Sequence, residues 1–255
     1  MLRSPRWSRP ATFEADAIRN EKVKVLRSIP ALRSEDVVFG QYLGGENGGQ
    51  KLPAYRQEPG VDADSRTETF VALRLGIANF RWQGVPFYLR TGKRLARRLT
   101  QIVVNFRCPP VTIFQPFDRC EIHSNAVVIT LQPDEGFDLR FEVKSPGHGV
   151  ATVTERLRFR YADAFGKLPD AYETLLLDIL NGDATLFVRS DEVEAAWNVY
   201  APLLKREGPL HFYAAGSWGP EEADRLLARE WWKLAGHNQV ISGREKRSFA
   251  RKTAC

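Results

Sequence analysis

The stretch from Thr67 to Tyr161 constrains the fold more than any other part of the chain, because it holds six strand candidates and no segment with a helical period. They are Thr67 to Gly76, Gly84 to Arg90, Gln101 to Arg107, Asn125 to Gln132, Phe137 to Val143 and Val153 to Tyr161. Several alternate apolar and polar residues, as in Phe137-Asp-Leu-Arg-Phe-Glu-Val143, which predicts strands with one wet face and one buried face. Connections such as Pro133-Asp-Glu-Gly136 are far too short for a parallel crossover, so antiparallel neighbours are expected. Helical periods follow in a block. Pro169 to Asn181 spaces Tyr172, Leu175, Leu176, Ile179 and Leu180 as a core stripe and ends at Gly182, placed as a C′ residue. Asp191 to Lys205 is expected to bury Val193, Ala196, Trp197 and Tyr200 behind a Ser190 cap, and Pro220 opens a further helix to about Leu234. A run of strands followed by a run of helices predicts an α+β fold, a large mainly antiparallel sheet covered by helices.

The remaining segments divide the chain. Residues 1–10, rich in Arg, Ser and Pro, read as an irregular N-terminal segment; residues 11–230 are expected to form one domain; residues 231–255 lack a sustained period and are expected to be disordered. Within the domain a helix is expected from an N-cap at Thr12 to about Ser28, and a strand from Val37 to Tyr42. The segment Gly44-Gly-Glu-Asn-Gly-Gly49 lacks the spacing and following helix of a phosphate-binding turn, so it reads as a flexible surface loop.

The apolar run from Val85 to Leu89 reads as a short buried strand closed by a Thr91-Gly92 turn. Arg90, Lys93, Arg94, Arg97 and Arg98 follow it closely. A strand fixes where its last side chains point, and Gly92 permits a bend, so Lys93 and Arg98 are candidates to grip one anion or sugar; the competing reading is a solvated basic turn.

Asn79-Phe-Arg-Trp-Gln-Gly-Val-Pro-Phe-Tyr-Leu-Arg-Thr-Gly-Lys-Arg-Leu95 resembles the C-terminal domain of glucose-6-phosphate dehydrogenase. So do Ile18 to Leu26, Glu58 to Phe70, Leu168 to Asp178, Asn181 to Arg189 and Gly216 to Pro220, all in the family's order. The resemblance implies a second domain built on a large antiparallel sheet, a dimer formed through it, and NADP-dependent oxidation of glucose 6-phosphate to 6-phosphogluconolactone in the pentose phosphate pathway. It implies that Lys93, Arg98 and Gln132 contact the sugar phosphate. It also implies that the NADP domain and the family's catalytic histidine, in an Asp-x-x-Gln-Asn-His helix, would precede Met1. The chain has no Gly-x-x-Gly-Asp turn, so it is expected to be inactive by itself. Two departures from the family are Ala78, where an acidic residue is usual, and Leu99, Val103 and Thr130, where animal members place charges for a second, structural NADP. That second site is expected to be absent.

The net charge of +6 sits in separate clusters, which argues against a continuous nucleic-acid stripe. Cys108, Cys120 and Cys255 have no disulfide-framework spacing, and Cys120 with His123 does not make a zinc site. His123, His148, His211 and His237 read as surface or turn residues. No apolar run approaches the ~18 residues of a membrane span, and a cytoplasmic protein is expected. The alternative to a dehydrogenase domain is a non-catalytic assembly module pairing with a full-length paralogue.

Overall fold

The structure, a computed structural model, describes residues 14–107, 125–147, 152–166, 171–204 and 208–226. The described residues fall into two compact units, with 14–97 and 171–226 in the first and 98–166 in the second. The expected irregular N-terminal segment, the Thr12 cap, all three cysteines, the continuation of the last helix to Leu234 and the tail 231–255 lie outside the described residues.

In the first unit, α1 (Ala15–Arg27) leads into strand β1 (Val37–Leu43), and a two-stranded hairpin of β2 (Gly45–Asn47) and β3 (Gln50–Leu52) follows. The sheet is completed by β4 (Phe70–Leu75), β5 (Phe87–Gly92) and β10 (Leu210–Ala214), in the order β10-β1-β4-β5. β1 runs antiparallel to β4 and parallel to β10. Strand β1 is apolar almost without interruption because both its faces are covered. Val38 and Tyr42 join Phe70, Ala72, Tyr213 and Leu226 on one side, while Val37 joins Leu32, Leu73, Leu75, Val199 and Leu203 on the other. α4 (Ser190–Leu204) supplies that second side.

Three expectations change here. The segment Gly44 to Gly49 is no flexible loop: Gly48 (φ 59°) and Gly49 (φ 81°) form the positive-φ turn of the β2–β3 hairpin. α4 buries the row Ala195, Val199 and Leu203, whereas Val193 and Trp197 are exposed and Ala196 and Tyr200 are half-buried. Apolar residues occupy more than one face of this helix, so the period alone could not choose the buried row. In α3 (Ala171–Asn181) the expected core stripe faces outward, with Tyr172 77% and Leu180 81% exposed. Gly182 does end α3 at φ 69°, its N–H donating to the Ile179 carbonyl. Pro220 opens a 3-10 helix, Glu221–Leu226.

The second unit is an antiparallel meander of β6 (Thr100–Asn105), β7 (Ala126–Gln132), β8 (Gly136–Lys144) and β9 (Thr152–Arg160), in that spatial order, followed by the short helix α2 (Tyr161–Phe165). Register pairs Ile102 with Ile129, Ile129 with Phe137, and Phe137 with Phe159. One face is therefore apolar across all four strands. The opposite face carries Ala126, Val128 and Thr130 beside Asp138, Arg140, Arg156, Arg158 and Arg160. Buried Asp138 accepts hydrogen bonds from Arg158 Nε at 2.9 Å and Arg160 Nη2 at 3.0 Å. The class is α+β and mainly antiparallel, with the strands shared between two four-stranded sheets.

Candidate functional site

Strand β5 is an edge strand and only half-buried, not the fully buried strand that its composition suggested. It also runs further than expected. Thr91 and Gly92 pair with Val71 and Phe70, and the turn falls at Lys93 and Arg94. Gly92 serves close packing: a Cβ there would lie 2.9 Å from Phe70 Cδ2. The left-handed backbone that a turn requires is adopted by Arg94, with φ 51°.

Hydrogen bonds hold this turn from several elements. The Lys93 N–H donates to the Thr69 carbonyl at 2.8 Å, and the Tyr213 hydroxyl donates to the Lys93 carbonyl at 2.8 Å. The Gly216 N–H donates to the Arg94 carbonyl at 2.8 Å, and the Ala96 N–H to the Ser217 carbonyl at 2.9 Å. Behind Gly216 stands the β2–β3 hairpin, so close that a Cβ on Gly216 would lie 2.1 Å from the Glu46 carbonyl oxygen. The Asn47 side chain adds a bond to the Leu95 carbonyl at 3.3 Å.

The five basic residues of the segment have different fates. Arg90 lies over the Trp218 ring at 5.2 Å and donates to the Trp218 carbonyl at 3.3 Å. Burial pushes its guanidinium down to about 10, with Asp224 acting in the opposite direction. Arg94 Nη2 binds Glu58 Oε1 at 2.9 Å, and the same oxygen accepts the Tyr42 hydroxyl at 3.2 Å; this Glu58 bond raises the Arg94 pKa. Lys93, Arg97 and Arg98 are exposed and make no side-chain hydrogen bond or ion pair among the described residues. Two of the cations are therefore structural, and three are available to a ligand.

Lys93 belongs to the first unit, and Arg98 and Gln132 to the second. Gln132 is exposed at the end of β7 and pairs with Thr100, two residues after Arg98, so these two residues share one end of the second sheet. His211 is not a surface or turn residue: it lies in β10 with Nδ1 3.1 Å from Glu222 Oε1. His123, His148 and His237 lie outside the described residues. No cluster of three or more metal-ligating side chains occurs among the described residues.

Sequence reasoning missed the bracing residues Glu58, Thr69, Tyr213 and Gly216. A usable signal existed for three of them, because Glu58, Thr69 and Gly216 fall inside stretches that carry the family resemblance. Those stretches converge on the Lys93 turn.

Two mainly antiparallel four-stranded sheets with a braced cationic turn at the end of β5 define an α+β class of protein. The family model described as the C-terminal domain of glucose-6-phosphate dehydrogenase matches residues 6–233, and the chain belongs to that family. It is 44% identical over 238 residues to glucose-6-phosphate 1-dehydrogenase of Aggregatibacter actinomycetemcomitans, covering 89% of this chain and 47% of that one. Identity to the Treponema pallidum enzyme of the same name is 44% over 228 residues, covering 86% and 44%. A solved structure described as glucose-6-phosphate dehydrogenase in complex with its substrate glucose-6-phosphate superposes with a TM-score of 0.77 at 35% identity, covering 87% of this chain and 46% of that one. The chain thus spans less than half the length of these relatives.

Proposed function

We propose that this chain is the substrate-binding and dimerising part of a cytoplasmic, NADP-dependent glucose-6-phosphate dehydrogenase, an oxidoreductase forming 6-phosphogluconolactone. The observation that carries the reading is the Lys93 turn. Its backbone is tied to Thr69 and Tyr213, while its ammonium group is exposed and unpaired among the described residues. Lys93 offers three donors to ring oxygens or hydroxyls, Arg98 offers a planar fork, and the Gln132 amide can both donate and accept. Among the described residues no helix is long and apolar enough to cross a membrane.

NADP enters through the family, and the residues present here do not fit a second, structural dinucleotide. Val103 sits opposite Val128, Leu99 is apolar, and Thr130 is buried with its hydroxyl accepting from Gln101 Nε2 at 2.9 Å. Nothing at these positions pairs with a phosphate. Dimerisation is supported by the apolar face of the second sheet, where Ile102, Val104, Leu131, Phe137 and Leu157 are exposed and Val127 and Ile129 are half-buried. The same face could serve the alternative role, assembly with a full-length paralogue.

The test is titration of the purified chain with glucose 6-phosphate, followed by NMR. Binding on the order of millimolar that is weakened about tenfold or more in Lys93→Ala is the expected result. Equal shifts in the wild type and Lys93→Ala would remove Lys93 from the site.

A further inference from the structure

We propose that Tyr213 is a positioning residue for Lys93, holding the lysine backbone so that its ammonium group meets the sugar phosphate; this rests on the substrate-binding reading above. Tyr213 is 4% exposed and its hydroxyl carries one proton. The Lys93 carbonyl at 2.8 Å is its nearest acceptor, ahead of the Thr69 carbonyl at 3.3 Å. Thr69 Oγ1, 3.2 Å from the phenol oxygen, accepts the Tyr42 N–H at 3.1 Å and is free to donate its own proton to Tyr213. The bonds therefore run in one direction, from the Tyr42 N–H through the Thr69 and Tyr213 hydroxyls to the Lys93 carbonyl. Each donor in such a chain polarises the next. Burial raises the phenol pKa, so Tyr213 remains a donor at neutral pH.

Position 93 is thus tied at both backbone groups, its N–H to Thr69 and its C=O to Tyr213, while its side chain is untouched. That is the arrangement of a cation aimed by its backbone. Packing is a separate matter. The Tyr213 ring lies 5.5 Å from Phe70 and 6.3 Å from Tyr42, centroid to centroid, and a phenylalanine keeps both contacts.

The experiment uses the full chain with isotope labelling and two variants, Tyr213→Phe and Thr69→Val, the second removing only the hydroxyl that orients the phenol. Amide exchange is the ligand-independent arm. Lys93, Ala96 and Gly216 are expected to lose protection in Tyr213→Phe, and less so in Thr69→Val; β1 and β4 keep theirs, except the Tyr42 amide, which loses its Thr69 hydroxyl acceptor in Thr69→Val. Unchanged protection at Lys93 in both variants overturns the proposal. In the binding arm, Tyr213→Phe is expected to weaken glucose 6-phosphate binding about two- to tenfold, the range of one net hydrogen bond. It should have no further effect in a Lys93→Ala background. An equal loss in that background would mean a general structural role and would also overturn the proposal. If Lys93→Ala leaves binding unchanged, the substrate-binding reading fails, and the proposal that Tyr213 aims Lys93 at the sugar falls with it; normal Lys93→Ala loss beside an inert Tyr213→Phe overturns the positioning role alone.

Discussion

Lys93 and Arg94 are adjacent but held in opposite ways. Lys93 is fixed through its backbone and free at its side chain, whereas Arg94 spends its side chain on Glu58 to hold a left-handed backbone. Lys93→Ala should therefore leave unfolding in urea within about ±0.5 kcal/mol of the wild type. The same change should weaken glucose 6-phosphate binding by about 1.5–3 kcal/mol, the worth of a charged hydrogen bond. Glu58→Gln should do the reverse. Breaking an ion pair whose arginine is 43% exposed and screened by solvent costs a small loss of stability, and ligand affinity falls only as far as the turn loosens. A titration in which Glu58→Gln and Lys93→Ala lose equal affinity would contradict this division of roles.

At the scale of elements, the β2–β3 hairpin and the Gly216 turn form a backing for the Lys93–Arg94 turn. Gly216 has φ 88° and faces the Glu46 carbonyl, so Gly216→Ala meets both a forbidden dihedral and a clash with backbone. A loss of about 1–3 kcal/mol or more is expected in chemical denaturation, and a wild-type midpoint would show that the hairpin can withdraw. In the second sheet, burial by itself would raise the Asp138 carboxyl. Hydrogen bonds from Arg160 and Arg158 outweigh that and hold it below its ordinary 3.8. Its folded pKa being depressed, the carboxylate contributes stability above the unfolded value, and this is lost as pH falls through the folded one. Asp138→Asn should cost about 1.5–3 kcal/mol at neutral pH and flatten the stability profile below pH 3.8. An unchanged acid limb in that variant would contradict the assignment.

For the whole molecule, the proposed dimer makes a direct demand on the apolar face of the meander. Leu157 is 61% exposed there, so Leu157→Lys should leave folding intact while breaking association. Light scattering at tens of micromolar is expected to show a dimer for the wild type and a monomer for the variant, since a micromolar dissociation constant, about −8 kcal/mol, is evident at that concentration. The chain is also expected not to reduce NADP with glucose 6-phosphate by itself. Without a general base a rate falls ~10²–10⁴, and without cofactor proximity it falls further. Turnover that follows the purified chain and vanishes in Lys93→Ala would overturn that expectation. Local pattern determined much of this protein: the strands between Phe70 and Arg160 lie within a few residues of where alternation puts them, and the α+β class follows from their order. The same holds for the cationic segment that follows β5, in which Lys93 and Arg98 are exposed. Tertiary structure decided the rest. It made Leu210–Ala214 a strand parallel to β1, buried Ala195, Val199 and Leu203 in place of Val193 and Trp197, and engaged Arg90 with Trp218 and Arg94 with Glu58. A period of two or 3.6 residues reports the backbone dihedrals and the presence of an apolar face. Which face is covered, and which of five similar cations finds a partner, depends on groups tens to hundreds of residues away in the chain.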